Sequence, residues 1–347
     1  MMRRPRREPS TTAVACDMPK PIRLANLPTR IVRYAALHDL FSQRTVWIKR
    51  DDETGCLLTG NKVRKLGYLV ADAIAQGCDT LVTTGAIQSN HARATAVFAR
   101  EMGLDAVLVL RGAEPAQPDG NFLLDTLVGA DVRAVDVDAG RDTEAALRDV
   151  AHQLAAEGKH PYVIPAGGSN EVGILGYVDA AAEIAQQAAE MALPIDCIVT
   201  AVGSGGTYAG LLLGAKLHGM AAHVVGVNVC DTAEHFRHVV LRLCRRTIRR
   251  HGLDVHVGDE DIRIIDGYVG AGYGESWPEE LALIRLVAER TGMILDPVYT
   301  GKALFGLVDQ IRQGGLGGHD GILFMHTGGI FGALARWREL LAAAPTP

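Results

Sequence analysis

Short apolar runs rich in β-branched residues alternate with helical patterns along nearly the whole chain. The strand-like runs are TVWIKR (45–50), TLVTT (80–84), AVLVL (106–110), VRAVDV (132–137), YVIPA (162–166), CIVTAV (197–202), HVVGVNV (223–229), IRIID (262–266) and GILFMH (321–326). Helical patterns lie near 62–76, 89–102, 119–130, 142–157, 171–191, 205–219, 231–251, 277–291, 301–313 and 328–343. Strands that are apolar throughout must be covered on both faces, so the alternation predicts an α/β fold with parallel sheets between helices. Sheets of this kind bind ligands in the loops beyond the carboxyl ends of their strands.

Composition narrows the function. Glycine is in excess, 39 of 347 residues, or about 11% against a usual share near 7%. In a folded chain this points to tight turns and to backbone pressed close to a ligand. The net charge is −5 and aromatics are 5%, so the chain has neither a basic footprint nor stacking platforms for nucleic acid. The one basic run, Arg237, Arg242, Arg245, Arg246, Arg249 and Arg250, has helical spacing beside Val239, Val240, Leu241 and Leu243. It reads as a solvated helix face. The six cysteines contain no C-x-x-C pair and read as reduced thiols of a cytoplasmic protein. The basic N-terminus lacks an apolar stretch and does not read as a secretory signal. Residues 197–215 carry no charge, but their glycines favour strand, loop and helix over a membrane span.

Three glycine-flanked segments carry the chemistry. In Thr59-Gly60-Asn61-Lys62-Val63-Arg64-Lys65 a lysine opens a helix after a strand. Gly55 and Gly60 have P-loop spacing, but Asn61 and Val63 stand where a P-loop needs Lys and a hydroxyl. What remains is a lysine that burial and nearby cations could turn into a nucleophile or base. In Gly85-Ala86-Ile87-Gln88-Ser89-Asn90-His91, Ser89 reads as a helix N-cap, and the same turn suits a carboxylate. In Gly203-Ser204-Gly205-Gly206-Thr207-Tyr208, glycines and hydroxyls precede a helix. Tyr208 stands where a dinucleotide fingerprint needs glycine, so a cup for one phosphate fits better than a pyrophosphate site. A helix-start lysine, an anion turn and a phosphate cup together suggest pyridoxal 5'-phosphate.

The segments GNKVRKL, TTGAIQSNHARATA, GSGGTYAGL, GYG, LDPVYTGKA and HTGG occur in that order. In this the chain resembles the D-cysteine desulfhydrase and 1-aminocyclopropane-1-carboxylate (ACC) deaminase family, from about residue 20 to 340. The resemblance implies two open, twisted, mostly parallel sheets flanked by helices, the tryptophan-synthase-β-like fold (type II) of pyridoxal phosphate enzymes. It implies a disordered tail over 1–20, a large cofactor domain over 21–64 and 173–347, and a smaller inserted α/β domain over 65–172. It makes Lys62 the Schiff-base lysine and Lys65 a phosphate-side lysine. Ser89, Asn90 and His91 become substrate contacts, Asn90 touching the cofactor ring as well. Gly203, Ser204, Gly205, Gly206 and Thr207 become the phosphate cup, and Tyr273 and Tyr299 two active-site tyrosines. Thr300 and Thr327 fall near the pyridine nitrogen, where ACC deaminases have Glu and Leu. A hydroxyl there leaves the ring largely neutral, which suits β-elimination better than cyclopropane opening.

The resemblance therefore implies a carbon–sulfur lyase acting on D-cysteine, with ACC deamination, an L-cysteate-type sulfo-lyase and an amino-acid racemase as its neighbours. It also implies a cytoplasmic homodimer with a small amino-acid substrate and neither a membrane nor a nucleic-acid partner. Departures occur at Thr59, Gly67 and Glu275-Ser276-Trp277.

Overall fold

The computed structural model describes residues 19–42, 44–135 and 143–343. All but the last two residues of the expected tail lie outside them. The strands are β1 (Ile31–Val32), β2 (Thr45–Arg50), β3 (Thr80–Ala86), β4 (Asp105–Arg111), β5 (Asp131–Val135), β6 (Pro161–Ile164), β7 (Cys197–Val202), β8 (His223–Asn228), β9 (Arg263–Ile265) and β10 (Gly321–His326). They form a six-stranded sheet in the order β1-β2-β10-β7-β8-β9 and a four-stranded sheet in the order β5-β4-β3-β6. Every pairing is parallel except that of β1 with β2.

The helices are α1 (Lys62–Ala75), α2 (Asn90–Glu101), α3 (Gly120–Leu127), α4 (Thr143–Ala156), α5 (Leu175–Glu190), α6 (Gly206–Leu217), α7 (Ala233–His251), α8 (Pro278–Thr291), α9 (Thr300–Gln313), α10 (Ile330–Ala335) and α11 (Trp337–Ala342). Side-chain alternation divides the large sheet between two cores. Ile198 and Leu323 join a core with α5 and α6, whereas Val199 and Phe324 face Leu283, Leu304 and Leu307 of α8 and α9. Each such fully buried side chain contributes about 1.5–3 kcal/mol. In the small sheet Val82, Val107 and Val109 pack on Leu147 and Leu154 of α4. Their neighbours Leu81, Leu108 and Leu110 face the side that carries Phe98 of α2. Both faces of both sheets are covered, as unbroken apolar strands require.

The differences from expectation are local. The helix expected over 328–343 is split, because Arg336 leaves helical geometry between α10 and α11. The two-residue edge strand β1 and a 3-10 turn over Ala35–Phe41 have no counterpart among the expected elements. The uncharged stretch 197–215 is β7, a glycine turn and most of α6. No helix among the described residues is long and apolar enough to cross a membrane. On α7, Phe236, Val240, Leu243 and Cys244 point inward, while Arg242, Arg245 and Arg249 lie exposed and Arg246 pairs with Glu171 at 2.9 Å. Part of the glycine excess serves helix ends: Gly252 and Gly314 close α7 and α9 in left-handed geometry, with nothing near an added Cβ.

Candidate active site

Three turns meet at the carboxyl ends of the sheets. After β3 the chain turns through Ser89, whose extended backbone and side chain cap α2, with Oγ accepting from Ala92 N at 3.1 Å. Asn90 follows, its Oδ1 accepting from Asn121 Nδ2 at 3.0 Å. After β7, Gly205 takes a left-handed conformation (φ 77°) that turns the chain into α6. Ahead of α1, Asn61 ties the turns together. Its Oδ1 accepts from Lys62 Nζ at 2.8 Å, its Nδ2 donates to Thr207 Oγ1 at 2.9 Å, and its backbone N donates to Thr327 O at 3.0 Å. Tyr208 points into the core, donating to Val224 O and accepting from Arg263 N. A tyrosine thus stands at the dinucleotide-glycine position for packing reasons.

The turns enclose a cavity of about 270 Å³. Of the residues singled out from the sequence, Lys62, Ser89, Asn90, His91, Gly203, Ser204, Gly205, Thr207, Tyr273, Tyr299 and Thr327 line it. Lys65, Gly206 and Thr300 are not part of that lining. Lys65 is fully buried behind the cup and donates to Gly167 O (3.1 Å) and Ser169 Oγ (3.3 Å). Thr300 opens α9, buried, and its hydroxyl donates to Asp296 Oδ1 at 2.7 Å. The tyrosine hydroxyls meet at 2.6 Å, and Lys62 Nζ lies 6.0 Å from the centre of the Tyr299 ring.

Sequence reasoning alone assigns no role to Asn61, Ser169, Arg111, Cys230, Asp231 or Asp296. Asn61 and Asp296 sit inside the quoted motifs and could have been found there. The other four, at the end of β4 (Arg111) and in the loops after β6 (Ser169) and β8 (Cys230, Asp231), leave no local signal.

Burial controls the electrostatics. Desolvation of its amine brings Lys62 down to about 8, with Asp296 opposing and Arg93 adding to the shift. Lys65 is pushed well below its usual value by burial and then by Lys62. His91 is held neutral by burial and by both lysines; its Nε2 bonds to Thr83 Oγ1 at 2.9 Å. Burial, followed by Tyr273, raises Tyr299 well above the usual phenol range, so its hydroxyl stays protonated. Because its pKa is depressed, Lys62 becomes a neutral nucleophile as pH rises through about 8. Cofactor-free protein mixed with pyridoxal phosphate should therefore gain absorbance at a rate with a midpoint near pH 8; a midpoint near 10 would contradict the burial of this amine.

The residues present fit such a cofactor. Lys65 is a buried amine that no carboxylate pairs among the described residues, beside a turn of free backbone N–H groups. The cup is tight: a Cβ on Gly206 would stand 2.3 Å from Ser169 Oγ and 2.7 Å from Lys65 Nζ, and one on Gly203 would stand 2.8 Å from the Tyr299 ring. A nucleophilic lysine facing a tight anion cup at the ends of parallel strands defines an enzyme that binds a phosphorylated aldehyde.

The family described as "Pyridoxal-phosphate dependent enzyme" matches residues 22–328, and the chain belongs to it. It is 45% identical over 85% of its length to a putative 1-aminocyclopropane-1-carboxylate deaminase of Pyrococcus abyssi, covering 88% of that protein. It is 43% identical to the mitochondrial bifunctional D-cysteine desulfhydrase/1-aminocyclopropane-1-carboxylate deaminase of Arabidopsis thaliana, over 89% of this chain and 78% of that one. With the D-cysteine desulfhydrase of Klebsiella pneumoniae it shares 42% identity over 89% of this chain and 93% of that one. A crystal structure of an ACC deaminase homologue superposes with a TM-score of 0.86 at 41% identity, covering 94% of this chain and 96% of that chain. The two-sheet architecture is thus that of fold type II pyridoxal phosphate enzymes.

Proposed function

We propose that the chain is a pyridoxal-phosphate-dependent carbon–sulfur lyase that eliminates the β-substituent of D-cysteine to give pyruvate, ammonia and sulfide. The observation that carries this is the hydrogen-bonded pair Tyr273–Tyr299 facing the Lys62 amine, in a cavity that Thr327 also lines, where the resemblance would set a threonine rather than a carboxylate near the ring nitrogen. Thr300 stays outside the cavity lining with its hydroxyl engaged by Asp296, so no side chain from that position brings a carboxylate into the cavity. The names of the relatives, D-cysteine desulfhydrase and ACC deaminase, are consistent with it.

Lys62 would hold the cofactor's aldehyde, and Lys65 with Gly203–Thr207 its phosphate. The bound cofactor supplies an electron sink for the carbanion at the substrate Cα. The backbone N–H groups of the Ser89 turn, with Asn90, orient the substrate carboxylate at the start of α2. Lys62 Nζ would accept the substrate's Cα proton, with Ser89 as the second candidate for that role. Tyr299, protonated and paired with Tyr273, donates to the departing sulfur. The neutral ring of His91 closes the floor of the cavity without adding charge. The strands of the small sheet all fall within 80–164, which supports the division into an inserted domain over 65–172 and a cofactor domain over 21–64 and 173–347. A cytoplasmic homodimer belongs to the same reading, and sedimentation tests its assembly.

The deciding experiment offers the purified, cofactor-loaded protein D-cysteine, L-cysteine and ACC separately. We expect sulfide and pyruvate from D-cysteine at a rate at least about tenfold above either alternative, a difference of roughly 1.4 kcal/mol in barrier. Faster formation of 2-oxobutyrate from ACC would overturn the assignment.

A further inference from the structure

We infer that Arg111 is a specificity-determining residue of this site, its guanidinium pairing with a negatively charged group on the substrate's β-carbon. The inference rests on the β-elimination reading above.

Arg111 is the last residue of β4. It stands in register with Ala86 of β3, and its carbonyl accepts from Ile87 N at 3.0 Å. This pins it beside the turn that carries Ser89. Its side chain is exposed at the cavity mouth and lines the cavity together with Tyr273 and Cys230. Its charge is felt at both groups, favouring their ionised forms against the other influences there.

Among the described residues the side chain of Arg111 makes no hydrogen bond and no ion pair. Arg93, also near the cavity, is the contrast: it is fully buried and bonded to Leu57 O, Thr59 O and Asn121 Oδ1. It is committed to holding the loop before Lys62 against α2. The acidic group at the cavity is Asp231, whose Oδ1 accepts from Thr232 N at 2.8 Å at the approach to α7.

A guanidinium without a partner beside a tyrosine and a thiol has its N–H donors free for a ligand. The substrate's carboxylate already has the Ser89 turn, so the anion left for Arg111 is one on the β-carbon side. The chemistry agrees. In elimination the Cα–H bond breaks with its proton passing to Lys62 Nζ. The electron pair becomes the Cα–Cβ double bond, and the Cβ–X pair leaves with X. Negative charge therefore grows on X, next to Tyr273. A guanidinium presents parallel donors that match two oxygens of a sulfonate or phosphate better than a lone chloride or sulfur.

The test measures kcat and KM separately for O-phosphoserine, 3-sulfoalanine and β-chloroalanine, each as both enantiomers, in the wild type, R111Q and R111K. Visible absorbance of bound cofactor checks that each variant is folded and loaded. We expect wild-type turnover of at least one oxyanion substrate. R111Q should lower the ratio of its kcat/KM to that of β-chloroalanine tenfold or more, mainly through KM, and R111K should recover part of the loss. An unchanged ratio in R111Q overturns the role of Arg111. Elimination of chloride with no turnover of either oxyanion substrate also overturns it, while leaving the lyase reading intact. Failure to eliminate from β-chloroalanine and from cysteine alike would bring down the lyase reading and this inference together.

Discussion

Replacing Lys62 with alanine will remove the visible absorbance of the cofactor-loaded protein and lower turnover by about 10³-fold or more, since one group serves both as anchor and as proton acceptor. The geometry separates this loss from a loss of binding. Lys65, Ser169 and the turn from Gly203 to Thr207 do not depend on the Lys62 side chain; Lys65 is held by Gly167 O and Ser169 Oγ. K62A should therefore still be stabilised by pyridoxal phosphate in a thermal melt, with weaker affinity. K65A should show the opposite pattern, keeping the nucleophile and losing most of the phosphate affinity. Turnover and visible absorbance retained in K62A would refute the assignment of this lysine.

The depressed pKa of Lys62 is part of the same prediction. Asn61 Oδ1 holds the amine at 2.8 Å, but a neutral amide compensates a positive charge poorly. Burial therefore dominates, and the amine is a competent base near pH 8. Asn61→Asp would place a carboxylate at that position, favour the ammonium form and move the midpoint of cofactor capture upward.

Most of the architecture was legible because the strands of both sheets are apolar on both faces. β7 and β10 are found at their expected residues, CIVTAV and GILFMH, since loop residues bound unbroken apolar runs. β1 escaped because two edge residues carry no period, and the turn at Ala35–Phe41 because it is too short to repeat one. The lining of the cavity was legible where motifs sit in strand-to-helix turns, as at Ser89 and Gly203. What positions those motifs was not. Asn121 holds Asn90 from 31 residues away, and Arg93 reaches back 34 residues to Thr59. Such hydrogen bonds join distant parts of the chain and have no sequence spacing to detect. Glycine shows both sides: at Gly206 a Cβ would enter the cup, whereas at Gly252 the residue only closes a helix.

The largest stability effect should come from Arg64, two residues beyond the nucleophile. Its guanidinium makes paired hydrogen bonds to Asp51 (2.8 and 2.9 Å) and to Glu183 (3.0 Å each), and its side chain is 2% exposed. Asp51 is wholly buried and also accepts from Thr29 Oγ1 and Tyr177 OH. Burial alone would raise the pKa of Asp51, but Arg64 and Lys49 outweigh it and hold the carboxylate below its usual range; Glu183 behaves likewise. Arg64→Met leaves the Asp51 charge buried and undercompensated, which costs about 3–5 kcal/mol and should appear as a lower midpoint in denaturant unfolding. Adding Asp51→Asn should recover part of the loss, because the stranded charge is then gone. The sign with pH follows from depressed carboxylates: their contribution is present above the unfolded carboxylate pKa and fades as pH falls through the folded one. The gap between wild type and R64M should therefore narrow in acid. Equal midpoints at neutral pH would mean that the cluster beneath α1 does not hold the start of that helix, and with it Lys62, in place.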